Sequence, residues 1–231
     1  MAQRRSSKSA QTRERILAAA LVLFAEKGYA QTTMREIATR ADCSPGLAYR
    51  YFKSKDAMVL AQYERMVTEL AGEVESLPPG PLAERWARAI RGDFARLEAN
   101  RGALVGLTSA GLTPGSATQV LGQDAAPLRH RMIAIFRAIV TRATDAPRPD
   151  VAEALAVLFY ALYLVVVLFW LQDSTPGQRA THQSIDFGEE MLGRLRLVLR
   201  LPWAKDGLTK LSAIMSAALD SPAAPAQASI G

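Results

Sequence analysis

The chain has 231 residues, 49% of them hydrophobic and 22% charged, with a net charge of +6; this is the ordinary composition of a soluble globular protein, long enough for one large domain or two small ones and able to bury a proper core. Cys43 is the single cysteine, which excludes an internal disulfide. The charge is uneven: residues 1–55 carry eleven Lys and Arg against four acids, a net +7, while the remainder sums to −1, so a bound polyanion would meet the N-terminal quarter.

In chain order, residues 1–10 are expected to form a disordered basic arm. A first helix is predicted from about Thr12 to Lys27, with Gly28 as its left-handed C-terminal cap. Its apolar stretch Ile16–Ala25 mimics a secretory signal. However, Glu26-Lys27-Gly28 follows at once with no small-x-small cleavage site, and Ile16, Ala20, Leu23 and Phe24 have helical spacing. A second helix starts at Thr33, where Thr33-Met34-Arg35-Glu36 has the form of a capping box, and continues to about Arg40. A third starts at Ser44 as N-cap, with Pro45 in the first helical position, where a missing N–H costs nothing. A fourth runs from Ser54 to about Ser76 and is ended by Leu77-Pro78-Pro79-Gly80-Pro81.

Beyond that break, helices are predicted at 82–100, near 116–122, and at 125–143, 149–172 and 178–200. Turn signals separate them at Thr113-Pro114-Gly115, Asp145–Pro149, Ser174–Gly177 and Leu201-Pro202. The tail from Ser221, rich in Ala and Pro, is expected to be disordered. No strand alternation is present, so the fold class is all-α: an N-terminal three-helix helix-turn-helix domain plus a C-terminal helical domain. The expected boundaries are 1–10 for the arm, 11–55 for the helix-turn-helix domain and 56–76 for a connecting helix. They continue with 77–201 for an effector-binding and dimerisation domain and 202–231 for a C-terminal segment. Ala154–Leu171, eighteen residues without a charge, is the lower limit of a membrane span. Its flanks carry weak anchors, and a helix buried in a core or a subunit interface accounts for it better.

The second and third helices are short and separated only by Ala41-Asp42-Cys43, the spacing of a helix-turn-helix. In the third, Ala48 and Phe52 should point into a small core with Ile37 and Phe24, leaving Pro45, Gly46, Tyr49 and Arg50 on another face. The lack of bulk at Pro45-Gly46 lets the helix start and its unpaired N–H groups approach DNA closely. Arg50 can reach a guanine edge or a phosphate, Tyr49 a thymine methyl or a phosphate, and Lys53 and Lys55 the backbone. Structural roles compete with each of these. Thr33 is first a helix cap, Tyr49 or Tyr51 can pack on the first helix, and Lys53 and Lys55 can be solvated charges. Cys43 is better explained as a small buried residue than as a redox sensor.

Gly28-Tyr29, Thr32-Thr33-Met34-Arg35-Glu36-Ile37-Ala38, Cys43-Ser44-Pro45-Gly46 and Tyr49-Arg50-Tyr51-Phe52-Lys53-Ser54-Lys55 together resemble the DNA-binding domain of TetR/AcrR-type transcriptional regulators, over about residues 12–60. Two positions depart from it: Ala48 stands where the family often has Leu, and Leu47 where it often has a small polar residue. The resemblance implies a homodimer whose heads each read one half-site of a near-palindromic operator. It implies that Thr33 and Lys55 hold phosphates and that Gly46, Tyr49 and Arg50 lie at the groove with Tyr51 nearby; with Ser44, Pro45 and Lys53 from the reading of the helix itself, the expected DNA contacts are Thr33, Ser44, Pro45, Gly46, Tyr49, Arg50, Tyr51, Lys53 and Lys55. It further implies a cytoplasmic repressor released by a small-molecule effector.

In the TetR-type plan the last two long helices form the dimer. The apolar stripes Leu162, Val166, Phe169 and Phe187, Met191, Leu195, Val198 have the spacing for this, as they would for plain core. Trp86, Phe94, Leu97, Met132, Phe136, Phe159, Tyr160 and Tyr163 are the pocket candidates, and their apolar character suits a lipophilic ligand. The expected partners are operator DNA, an effector and a second copy of the chain, with no cofactor, metal or membrane. Catalysis is not expected: the histidines are only His130 and His182, and no metal-ligand spacing, phosphate loop or nucleophile motif is present. The rival functions are a membrane-associated protein anchored by 154–171 and a non-specific DNA-binding protein.

Overall fold

A computed structural model describes residues 2–112, 125–195 and 202–220. Among them the regular elements are α1 (Ala2–Lys27), α2 (Met34–Arg40), α3 (Pro45–Tyr51), α4 (Lys55–Ser76), α5 (Leu82–Glu98), α6 (Arg101–Leu112) and α7 (Ala126–Thr141). They continue with α8 (Pro149–Gln172), a 3-10 turn at Pro176–Gln178, α9 (Arg179–Leu195) and α10 (Pro202–Asp220). The described residues fall into two compact units. The first contains 2–65, 100–112 and Ala125, and the second contains 66–99, 126–195 and 202–220.

In the first unit, α1 ends where predicted. Gly28 adopts φ 82° and its N–H donates to Phe24 O at 3.0 Å, a conformation an L side chain resists. The helix begins at Ala2, however, and not near Thr12. Gln3–Ala10 are all compatible with a helix, and Thr12 Oγ1 donates back to Lys8 O at 2.9 Å. Ile16, Leu17, Ala20 and Phe24 of α1 meet Ile37 and Ala38 of α2, Ala48 and Phe52 of α3, and Met58 of α4 in one core. Fully burying each large apolar side chain contributes about 1.5–3 kcal/mol.

Sequence patterning missed α6, whose Gly102, Gly106 and Gly111 weaken any helical signal. At Gly106 the glycine serves packing. A Cβ there would lie 2.0 Å from Phe24 O, and Tyr29 N donates to Gly106 O at 3.3 Å, so α6 crosses α1 backbone to backbone. Ala103 and Leu107 complete the core from this helix.

The second unit is built on α8. Phe159, Tyr160, Tyr163 and Trp170 on one side of it are buried against α5 and α7. Phe94 meets Trp170 edge-on with ring centroids 5.3 Å apart, and Phe136 meets Tyr163 at 5.6 Å, contacts that favour this packing beyond area alone. Among the described residues α8 is the one helix long and apolar enough to cross a membrane. Asp173 then caps α9: its carboxylate accepts from Thr175 N at 2.9 Å, Thr181 N at 2.9 Å and both threonine hydroxyls. These bonds, led by that of the Thr175 hydroxyl, hold its acid well below the usual carboxylate range. The chain then folds back, and α10 lies along α8 with Lys205 paired to Asp150 at 2.7 Å. Pro202, read as a break, is instead the first residue of α10. The short helix expected near 116–122 and the tail from Ser221 lie outside the described residues.

Candidate nucleic-acid interface

The interface candidates start at the N-terminus of α2. Thr33 Oγ1 accepts from Glu36 N at 3.3 Å, and Glu36 Oε2 accepts from Thr33 N at 2.8 Å, which closes the capping box. Lys27 Nζ donates to Glu36 Oε1 at 2.5 Å, and chiefly through this bond the Glu36 carboxyl is held down to about 2. The turn into α3 is tight. Asp42 takes φ 48°, and Cys43 N donates to Ala38 O at 3.0 Å. Asp is among the few side chains that tolerate this backbone. Cys43 is half-buried against the core.

Ser44 Oγ accepts from Leu47 N at 3.2 Å, and Pro45 opens α3. The helix sorts sharply by face. Ala48 and Phe52 are buried, whereas Ser44, Pro45, Gly46, Tyr49, Arg50 and Lys53 are exposed, Tyr49 by 47% despite its large ring. Leu47 is half-buried, so Ala48 alone fills the inward position of this turn. Around Gly46 a Cβ would meet no heavy atom within 4 Å, so nothing within its unit demands a glycine there. The site is therefore a row of donors and one aromatic ring beside a surface with almost no side-chain bulk.

Beside the capping residues Thr33 and Ser44, two more sequence candidates are held by the protein itself. Tyr51 is half-buried, and its hydroxyl donates to Ser9 Oγ at 3.2 Å. Lys55 Nζ donates to Tyr29 O at 2.7 Å and lies 4.3 Å from the centre of the Tyr29 ring; burial lowers the pKa of this ammonium. Tyr29 in turn donates its phenol to Asp56, and burial, more than that bond, pushes the phenol up. Sequence spacing gave no sign of Arg13, whose guanidinium stacks over Phe52 at 4.8 Å.

The eight pocket candidates lie together in the second unit, and all are buried: Trp86, Phe94, Leu97, Met132, Phe136, Phe159, Tyr160 and Tyr163. Their rings pack on one another, Trp86 on Phe159 at 6.2 Å and Phe136 on Tyr160 at 6.5 Å. Tyr163 donates to the buried Asp93 at 2.7 Å, which Arg96 also holds at 2.6 Å; burial pushes the Asp93 carboxyl up. A separate cleft of about 310 Å³ opens between α4 and α7. Its walls are Ala71, Val74, Ala134, Ile135 and Ala138, flanked by Glu75, Arg131 and Arg142. Alanines at helical spacing look like ordinary packing in a sequence, which is why this cleft escaped prediction.

Of the interface stripes, Leu162, Phe169, Phe187 and Leu195 are exposed, Phe169 by 46% and Phe187 by 63%, while Val166 and Met191 are half-buried. Val198 lies outside the described residues.

Residues 16–61 match the family described as "Bacterial regulatory proteins, tetR family". The HTH-type transcriptional repressor Rv3405c of Mycobacterium tuberculosis is 41% identical over 70 residues, which is 30% of this chain and 37% of that protein. The likeness to such curated relatives thus covers well under half of their length. A tetR-family transcriptional regulator from Streptomyces coelicolor has the same fold, with a TM-score of 0.62 over 89% of each chain at 19% identity. FadR of Thermus thermophilus, a TetR-family repressor solved with lauroyl-CoA, aligns at 26% identity and a TM-score of 0.57. That alignment covers 82% of this chain and 95% of FadR.

Proposed function

We propose, from the premise that this chain belongs to the TetR family of transcriptional regulators, that it is a homodimeric repressor released from a near-palindromic operator by a small lipophilic ligand. The observation that carries the reading is the outward row on α3. Ser44, Pro45, Gly46, Tyr49, Arg50 and Lys53 face away from a core that holds Ala48 and Phe52. The helix start, bare of bulk, would enter the major groove and bring Tyr49 and Arg50 to base edges. Lys53 would take a phosphate, as would Thr33 at the start of α2. Lys55 uses one of its three N–H donors on Tyr29 and keeps two for the same strand, and Tyr51 would brace the end of the helix. On this reading the chain is a cytoplasmic DNA-binding regulator.

For dimerisation, exposed apolar residues on α8 and α9 support a four-helix contact between two copies, with Leu162, Phe169, Phe187 and Leu195 at its surface. That contact accounts for the uncharged stretch of α8 without a membrane. The aromatic side chains from Trp86 to Tyr163 would rearrange around an effector. A long-chain acyl thioester of the kind bound by the Thermus thermophilus relative is a suitable first candidate. Coupling between effector and DNA is typically about 1–3 kcal/mol, roughly 5–150-fold in affinity.

The test is binding of the purified protein to DNA flanking its own gene, against scrambled DNA at near-physiological salt. A specificity ratio of about 10³ or more is expected. Arg50→Ala should change the base preference, and Lys53→Ala should weaken all sequences alike and lower the salt slope by about 1. Equal, weak, salt-labile binding to both DNAs would remove the regulator reading.

A further inference from the structure

The cleft between α4 and α7 takes no part in the roles assigned above, and its chemistry is uneven. Its α7 wall is Arg131, Ala134, Ile135, Ala138 and Arg142, spaced as one helix face. Met132 and Phe136 lie on the other face of α7, where Phe136 packs on Tyr160 and Tyr163. The cleft is therefore separate from the aromatic cluster. Opposite, α4 offers Ala71, Val74 and Glu75. Alanine at 71, 134 and 138 leaves an apolar trough where larger side chains would fill the space between the helices. Small residues alone would make this loose packing and nothing more.

A buried cation at one end of the trough gives it a direction. Arg85 of α5 is 3% exposed. Its Nη1 donates to Leu77 O at 3.3 Å and Pro78 O at 2.8 Å, just past the end of α4. Its Nε donates to Ile139 O at 3.3 Å, next to Ala138 of the cleft wall. Nη2 is buried and has no acceptor. No carboxylate among the described residues accepts from this guanidinium, and burial, then the charge of Arg142, lowers its pKa. A buried charge without a counter-charge is expensive, and a second cation beside it adds to the cost. That second cation, Arg142, is exposed on the cleft wall, and its side chain makes no ion pair or hydrogen bond among the described residues. The lining acid, Glu75, is bonded to neither Arg85 nor Arg142.

We propose that this cleft binds a small apolar carboxylate, its anionic end on Arg142 over the buried charge of Arg85 and its body along Ala71, Ala134 and Ala138. Arg142 has the planar donor pair that suits a carboxylate, and the field of Arg85 is little screened by water. The volume sets the size. A cleft of about 310 Å³ holds roughly ten waters at about 30 Å³ each, so the occupant has about ten non-hydrogen atoms. One carboxylate is enough. Arg131 stands about 16 Å away along α7, where it donates to Thr68 Oγ1 at 3.0 Å. Because none of these residues belongs to the aromatic cluster, the site stands apart from the effector reading.

The probe is benzoate, titrated into the full-length protein while NMR follows the alanine, isoleucine and methionine methyl groups. Benzamide keeps its shape without the charge, and benzylamine reverses the charge. Ring currents from benzoate should shift the methyls of Ala71, Ala134 and Ala138, with a Kd of about 0.1–1 mM. Benzamide should bind about tenfold more weakly, since it loses the charge-assisted bonds. Arg142→Gln should cost about three- to fivefold in benzoate affinity, and Glu75→Gln should raise affinity about twofold. Ala134→Leu fills the trough from an exposed position and should remove the shifts of Ala71 and Ala138. Positions 134 and 142 are both exposed, so these variants should keep the wild-type melting temperature. The proposal is overturned if the three methyls stay still up to about 10 mM benzoate, ten times the weakest expected Kd. It is equally overturned if benzamide or benzylamine binds as tightly as benzoate, or if Arg142→Gln leaves the affinity unchanged. Shifts centred on Met132 would put the probe in the aromatic cluster and remove the cleft site.

Discussion

At the residue scale the most informative position is Gly46. A glycine in a helix interior costs about 0.5–1 kcal/mol relative to alanine, and although the cost is smaller in a first turn, nothing within 4 Å of the missing Cβ of Gly46 calls for one. If Gly46 is there because DNA must approach its backbone, Gly46→Ala should leave the melting temperature equal to or above wild type. It should also lower operator affinity at least about tenfold, or about 1.4 kcal/mol. A paired thermal melt and binding titration checks this, and an unchanged affinity would remove Gly46 from the interface. Lys55 illustrates the opposite case. Its bond to the Tyr29 carbonyl and its place over the Tyr29 ring give it a structural task before any DNA arrives, so its substitution confounds folding with binding. Lys53, exposed and two residues away, is the cleaner probe of phosphate contact.

At the element scale, the helix-turn-helix was legible because each of its boundaries is set by a local interaction. The capping box of Thr33 and Glu36, Ser44 with Pro45, and the left-handed Gly28 are decided within four residues of chain. α6 was illegible because its reason is distant. Gly106 weakens the helix locally and is tolerated because the backbone of Phe24, 82 positions earlier, lies where a side chain would go. α10 was hidden by Pro202, a residue that signals a break and a helix start equally well. The beginning of α1 was misread because its charge suggested disorder, whereas its docking on Tyr51 depends on residue 9 meeting residue 51. Gly106→Ala should therefore destabilise the first unit by about 1–3 kcal/mol, the usual cost of forcing one methyl group into a packed contact. Chemical denaturation followed by far-UV circular dichroism measures it; a cost below about 0.5 kcal/mol would mean that α6 shifts freely away from α1.

At the scale of the whole molecule, α8 has to satisfy two demands. Its Phe159, Tyr163 and Trp170 side serves the core, while Val165, Leu168 and Phe169 stand in solvent within one chain. A run of this composition is expensive to leave wet, at roughly 25 cal/mol for each Å² of apolar surface. Together with Phe187 on α9 it is the strongest reason to expect a second copy. Sequence could show that the run was apolar but not which residues were spare, since that depends on how α5, α7 and α10 divide its circumference. Charging the face tests the assembly without touching the core. F169D/F187D alters two exposed rings, so each protomer should keep its fold and helical signal while sedimenting as a monomer. Operator binding should then weaken by about 10²–10⁴-fold, because two linked heads gain from effective concentration what one head cannot. Binding to an isolated half-site should be unchanged, since the α3 surface remains intact. A wild-type protein that already sediments as a monomer would remove the dimer reading, and a double variant that stays dimeric would place the subunit contact away from Phe169 and Phe187.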